Sequence, residues 1–212
     1  MKIALIGATG YVGSGLLKEA LARGHAVTAL VQHPQKLGAQ PGLTAVQADA
    51  LDTARLAGQL RGHDAVISAF SGHAQSDILG YYVQGIDSII AATRQAAVPR
   101  LLVVGGAGSL EVSPGVQLMD TPAFPAAWQA TAEGARQALK RLRQETLLDW
   151  TMLSPAAQLE PGARTGSFRL GGDELLADAA GQSRISVQDY AVAMIDELER
   201  PAHSRRRFSV AY

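Results

Sequence analysis

The stretch that most limits what this chain can fold into is KIALIGATGYVG, Lys2 to Gly13. A short apolar run enters it, and glycines follow at positions 7, 10 and 13. An apolar run of this length, bounded by glycine, has the signature of a buried strand. Ser14–Arg23 beyond it has helical spacing and is stopped by Gly24. A strand that passes through a glycine turn directly into a helix commits the chain to a βα unit, and so to a parallel neighbour strand. In such a turn Gly7 permits the tight bend. Gly10 lets a ligand approach the backbone with no side chain in the way, and Gly13 lets the helix pack close to the strand. The free N–H groups of the helix start, with the positive end of its dipole, then suit a pyrophosphate. The turn therefore points to dinucleotide binding.

The alternation continues along the chain. Strands are expected at Ala26–Val31, Leu43–Gln47, Asp64–Ala69, Leu101–Val104 and Trp150–Leu153. Asp52 caps a short helix ending near Gly62. In the next helix Ile78, Leu79, Tyr82, Val83, Ile86, Ile89 and Ile90 form a core-facing stripe. A long loop with Pro114, Pro122 and Pro125 follows the glycine-rich GGAGS at residues 105–109. It leads into a helix over Trp128–Glu145, whose outer face carries Arg136, Lys140, Arg141 and Arg143. Strands alternating with helices predict an α/β fold, a single doubly wound parallel sheet with helices on both faces.

After Ser154 and Pro155 the alternation loosens into a small C-terminal extension, expected on the substrate side. FRLGGDELL suggests a hairpin around Gly171 and Gly172. Ser186 and Asp189 form a capping box for a helix over Val187–Leu198, and Phe208–Ala211 is the expected last strand. No repeat or interdomain linker interrupts the 212 residues, so one domain over residues 1–212 is expected.

Charge narrows the partners. Lysine plus arginine and aspartate plus glutamate both number 19, so no net charge draws the chain to nucleic acid or an anionic membrane. With no cysteine, thiol catalysis and disulfides are excluded. The five histidines (25, 33, 63, 73 and 203) lack a paired spacing for a metal. No apolar stretch approaches the ~20 residues that span a bilayer, and a cytoplasmic protein is expected.

GATGYVG resembles the turn of the extended and atypical short-chain dehydrogenase/reductases. VQADALD, DAVISAFSG, LLVVGGAGSL, LDWTMLSPAA, EPGARTG and ISVQDYA extend the likeness over almost the whole chain. It is most similar to the bacterial NAD(P)H-flavin reductases of the atypical branch. Biliverdin reductase B and the nitrogen-metabolite-repressor-like redox sensors are more distant relatives. The resemblance implies a Rossmann fold with Gly7, Thr9, Gly10, Tyr11, Val12 and Gly13 at the cofactor. It also implies Asp49 and Ala50 at the adenine, and Ala69, Phe70 and Ser71 along the ribose and pyrophosphate. Ala107 to Ser109 and Pro155 would flank the nicotinamide.

An NAD site places an acid about 20 residues past the glycines, on the ribose 2′-hydroxyl. Here no carboxylate occurs between Glu19 and Asp49, and the residue after the second strand is Gln32. Gln32, His33 and Lys36 can hold a 2′-phosphate instead, which favours NADP over NAD. The resembling family often has arginine at the place of Gln32; Lys36 fits its second basic position.

Short-chain dehydrogenases move a proton with a Tyr-x-x-x-Lys pair. Four residues beyond Tyr11, Tyr81, Tyr82 and Tyr190 stand Gly15, Gly85, Ile86 and Met194, and Tyr212 ends the chain, so the pair is absent. Hydride transfer to a flavin or quinone-like planar acceptor asks less, because the remaining proton comes from water. Ser109 stands where the superfamily has its active-site serine and is the candidate catalytic residue; its other reading is a turn cap. Trp128 either stacks an acceptor or anchors its helix to the core. His73 either reaches the phosphates or lies in an exposed loop. Arg205, Arg206 and Arg207 read as a solvated lead-in to the last strand. The alternative function is a non-catalytic sensor of the NADP(H) pool.

Overall fold

The computed structural model describes residues 1–73 and 75–212. Its central sheet is built from β1 (Lys2–Ile6), β2 (Ala26–Val31), β3 (Leu43–Gln47), β4 (Ala65–Ser68) and β5 (Arg100–Val104). Two short strands, β6 (Glu111–Ser113) and β7 (Val116–Gln117), form a separate antiparallel ribbon. The chain then adds β8 (Asp149–Ser154), β9 (Gln158–Glu160), β10 (Arg169–Gly171), β11 (Arg184–Ser186) and β12 (Arg206–Ala211). The helices are α1 (Tyr11–Ala22), α2 (Thr53–Leu60), α3 (Ile78–Gln95), α4 (Gln129–Gln144) and α5 (Val187–Glu199).

The sheet order is β10-β12-β8-β5-β4-β1-β2-β3, parallel throughout except for β10, which runs antiparallel to β12 at one edge. From β1 the chain adds strands outward to β3, then returns to build the other half from β4. The order reverses between β1 and β4, and ligands bind in such sheets beyond the carboxyl ends at that point.

Each face has its own core. Leu16, Leu17, Tyr190, Met194 and Ile195 of α1 and α5 pack on one side with Ile3, Leu5 and Phe208. Leu56, Ile86, Ile89, Ala138 and Leu142 of α2, α3 and α4 pack on the other with Ala4, Val66 and Leu101. The doubly wound sheet expected from the alternating pattern is therefore the architecture found.

Several local expectations need correction. FRLGGDELL forms no hairpin: neither Gly171 nor Gly172 has the positive φ of a primed two-residue turn. The segment runs on instead. Arg169–Gly171 pairs with β12, and the next residues meet β6, with Glu111 N donating to Asp173 O and Leu175 N to Glu111 O, both at 2.8 Å. The long proline-spaced loop contains the β6–β7 ribbon, turned at Gly115 with φ +76°. Helix α1 begins at Tyr11, ahead of Ser14, because Gly13 and Gly15 are packing glycines and not breakers. Leu79 of the α3 stripe is exposed. Only half of the capping box forms: Ser186 Oγ accepts from Asp189 N at 2.9 Å. The Asp189 carboxylate turns to Thr165 N, Gly166 N, Thr165 Oγ1 and the Tyr212 hydroxyl instead.

Candidate cofactor-binding site

The site grows from the turn after β1. Gly7 has φ +82°, and a Cβ there would lie 2.7 Å from Ala69 O, the backbone at the end of β4. A Cβ on Gly13 would lie 2.0 Å from Gly7 O, so the helix can approach the strand this closely only with glycine. Gly10 differs. It is exposed with φ −76°, and a Cβ there would meet only Gly7 O, at 3.3 Å, and otherwise project outward. Two glycines thus close the fold, and the third leaves the backbone bare on the outside.

Gly10 caps α1 with no side-chain hydrogen bond, and the first turn carries no acid. The first helical bond is Ser14 N to Gly10 O at 2.9 Å, so the N–H groups of Tyr11, Val12 and Gly13 precede the ladder. This cradle, which a side chain on Gly10 would fill, fits the pyrophosphate of a dinucleotide. Thr9 is exposed beside it. Tyr11 is exposed, and its hydroxyl donates to Leu159 O at 3.2 Å, tying β9 to the glycine turn.

The other strand-end residues stand level with the turn. Gly7 N donates to Leu30 O at 3.1 Å, and Ala69 N to Ile6 O at 2.9 Å. Gln32 follows β2 directly and is exposed, as are His33 and Lys36 around the short 3-10 turn Pro34–Lys36. Asp49 is exposed and its Oδ1 accepts from Leu51 N at 2.9 Å, while Ala50 is buried beneath. Ala69 and Phe70 are half-buried and Ser71 is exposed. Gly105 N donates to Leu153 O at 2.8 Å, which brings half-buried Ala107 and buried Pro155 to the same rim from β5 and β8.

Ser109 lies inside. It is 3% exposed, its hydroxyl lies 3.3 Å from Arg207 Nη1, and its carbonyl accepts from Arg207 Nη2 at 3.4 Å. Arg207 corrects the reading of Arg205–Arg207 as a solvated run. Its side chain is buried and ion-paired with Asp173, because β12 is covered on both faces beyond exposed Arg206 at its start. Burial holds this guanidinium below its ordinary pKa against the opposing pull of Asp173. The basic face of α4 is likewise largely paired: Arg136 with Glu133 and Asp120, Arg141 with Asp87, and Arg143 with Asp173.

Trp128 does not anchor α4 to the core. It is 54% exposed and meets the His73 ring edge-on, with centroids 5.7 Å apart. His73 Nδ1 is 3.2 Å from Thr131 Oγ1, so this exposed histidine joins the loop after β4 to the start of α4. An open cleft of about 610 Å³ lies between Met119–Pro122 and Gln129, Glu133 and Arg136 of α4, beside the loop that leaves β5, where Met119 N donates to Gly108 O at 2.8 Å.

The tyrosines are all otherwise placed. Burial pushes the Tyr82 phenol up to about 12, and the buried Tyr190 hydroxyl donates to Leu153 O at 2.7 Å. Tyr212 is bonded to Asp189. Tyr81, which the sequence did not single out, accepts from Gln32 at the rim.

A doubly wound sheet with a bare glycine cradle at its switch point defines a nucleotide-binding protein of the dehydrogenase type. The chain matches the NAD(P)H-binding family over residues 7–198 and belongs to it. It is 42% identical over 213 residues to YwnB of Bacillus subtilis (strain 168), whose function is uncharacterized, covering 99% of this chain and 98% of that protein. A Bacteroides thetaiotaomicron structure provisionally named an epimerase is 44% identical, with TM-score 0.93, covering 100% of this chain and 96% of that one. SP1627 of Streptococcus pneumoniae TIGR4, under the provisional name NADH-flavin reductase, is 36% identical with TM-score 0.89, covering 100% and 99%. The protein is thus an NAD(P)H-binding protein with a Rossmann-like fold.

Among the described residues, no helix is long and apolar enough to cross a membrane.

Proposed function

We propose that the protein uses NADPH to reduce a flavin or quinone-like planar acceptor. The observation that carries the cofactor half is the cradle of Gly7, Gly10 and Gly13, with helix N–H groups free at the switch point. NADPH is favoured over NADH because exposed Gln32, His33 and Lys36 stand where an NAD site places its acid. In this reading Tyr11, Val12 and Gly13 hold the pyrophosphate through their N–H groups. Asp49 and Ala50 bound the adenine, Ala69 to Ser71 line the ribose side, and Ala107 and Pro155 flank the nicotinamide.

The acceptor half rests on what the tyrosines do. Tyr82 and Tyr190 are core residues, and Tyr11, Tyr81 and Tyr212 hydrogen-bond with Leu159, Gln32 and Asp189, which supports the reading that no tyrosine–lysine pair serves a carbonyl or hydroxyl substrate. The name of the 36% identical SP1627 supports the flavin choice. When bound, the reduced nicotinamide would supply a hydride to the acceptor, and the one proton also needed would come from water. The chain's part is to hold both rings in register and limit water at the rim. Trp128 offers an open aromatic face for the acceptor. Ser109 serves through its bonds to Arg207, which fix the loop at residues 105–109 beneath the nicotinamide.

An anaerobic assay with riboflavin, FMN and small quinones tests this reading. NADPH-dependent reduction of at least one is expected, with NADH slower. NADPH binding with no acceptor reduced above background contradicts it.

A further inference from the structure

We propose that Tyr81 forms the outer wall of the adenosine end of the dinucleotide site, and that its hydroxyl orients the Gln32 amide toward the ribose 2′ position. The inference rests on the NADPH reading above and adds to it a helix residue outside the glycine and strand-end motifs.

Gln32 occupies the first position after β2, where the ribose 2′ group is read in this class of fold. One of its two amide hydrogens is already committed: Nε2 donates to the Tyr81 hydroxyl at 3.3 Å. That bond links the end of β2 to the start of α3, passing the end of β1 that lies between β2 and β4 in the sheet. The Tyr81 ring is held from behind. It lies 5.2 Å from the Phe70 ring at an interplanar angle of 30°. Phe70 in turn sits against Gly85 of the same helix, where a Cβ would come within 2.1 Å of the phenyl ring. Burial raises the Tyr81 phenol above its ordinary pKa, and the charge of Asp49 adds to it. The ends of β2 and β4 converge on one neutral aromatic face, and such a face suits a flat, neutral base.

The amide chemistry gives the hydroxyl its role. Glutamine donates through Nε2 to a 2′-phosphate, or accepts through Oε1 from a 2′-hydroxyl. With one Nε2 hydrogen on the Tyr81 hydroxyl, the other remains to donate to a 2′-phosphate, and the bond fixes the direction in which it points. Tyr81 thereby supports the preference for a 2′-phosphate.

Calorimetric titration with adenosine 2′,5′-bisphosphate and with 5′-AMP tests both parts. Tyr81→Leu keeps an apolar side chain without the flat face and is expected to weaken both ligands by about tenfold. Tyr81→Phe keeps the face and loses the hold on Gln32, so the bisphosphate is expected to weaken about twofold to fivefold more than 5′-AMP does. Unchanged affinities in a folded Tyr81→Leu overturn the wall, and an unchanged ratio in Tyr81→Phe overturns the orienting role. If the parent protein binds neither NADPH nor the bisphosphate, the dinucleotide reading falls as well. If the parent binds NADPH and Tyr81→Leu does not alter bisphosphate affinity, this inference alone falls.

Discussion

The Ser109 hydroxyl lies 3.3 Å from Arg207 Nη1, and both side chains are buried. The same guanidinium reaches the Ser109 carbonyl and pairs with Asp173, 34 residues earlier in the chain. A serine at the end of β5 is thereby an internal anchor, and its loop presents backbone to the rim. Ser109→Ala leaves a buried donor of Arg207 short of an acceptor, which costs about 1 kcal/mol. Denaturant unfolding is expected to show that loss, with turnover of the acceptor reduced by less than about tenfold. A fall in kcat on the order of a hundredfold at unchanged stability would mean direct contact with the reacting groups.

Gly13 tests the fold without the ligand. Its added Cβ would stand 2.0 Å from Gly7 O, and backbone on both sides leaves no flexible atom to yield. Gly13→Ala is expected to lower stability by about 1–3 kcal/mol or more, seen as a lower denaturant midpoint. Stability equal to the parent's would show that α1 stands further from β1 than described.

Acid stability depends on Glu19. This carboxyl is held below its ordinary 4.5, chiefly by the hydrogen bond from Arg164, with burial opposing and Arg23 assisting. A carboxylate with a depressed folded pKa stabilises the fold above its unfolded pKa, and that contribution is lost as pH falls through the folded value. Arg164→Ala is therefore expected to lower stability near neutral pH and to move acid unfolding to higher pH. The difference from the parent should shrink once Glu19 is protonated in both. A difference that stays constant from neutral to acid pH would show that the ion pair is not its source.

Trp128 separates packing from binding. With 54% of its surface exposed, replacement by alanine is expected to change stability by less than about 0.5 kcal/mol. The KM for the flavin acceptor should rise several-fold, with NADPH affinity unchanged. Loss of stability at constant KM would assign Trp128 to helix packing.

The strands β1, β2 and β3 were legible to the residue, because each is a short apolar run punctuated by glycine or polar residues. The position of the site followed from them, since a glycine turn after the first strand of a parallel sheet lies at the switch point. What escaped was set by long-range contacts. Arg207 looks solvated within a basic triplet until Asp173 and Ser109 are brought against it. Tyr81 sits beside a buried tyrosine and meets Gln32, 49 positions earlier, only after β2 and α3 are assembled. The glycine pair at 171–172 suggested a hairpin, but β12 and Glu111 offer better partners for its two flanks. Asp189 appeared as half of a capping box, yet the loop at residues 165–166 captures its carboxylate.

The central claim is that the bare backbone at Gly10 receives a dinucleotide phosphate. It is tested most directly by titrating the purified protein and its Gly10→Val variant with NADPH and NADH, following nicotinamide fluorescence. The account predicts micromolar NADPH binding, weaker NADH binding, and loss of both in the variant while its unfolding midpoint stays near the parent's. Absence of micromolar binding by either nucleotide to the parent, or undiminished binding by Gly10→Val, would contradict it.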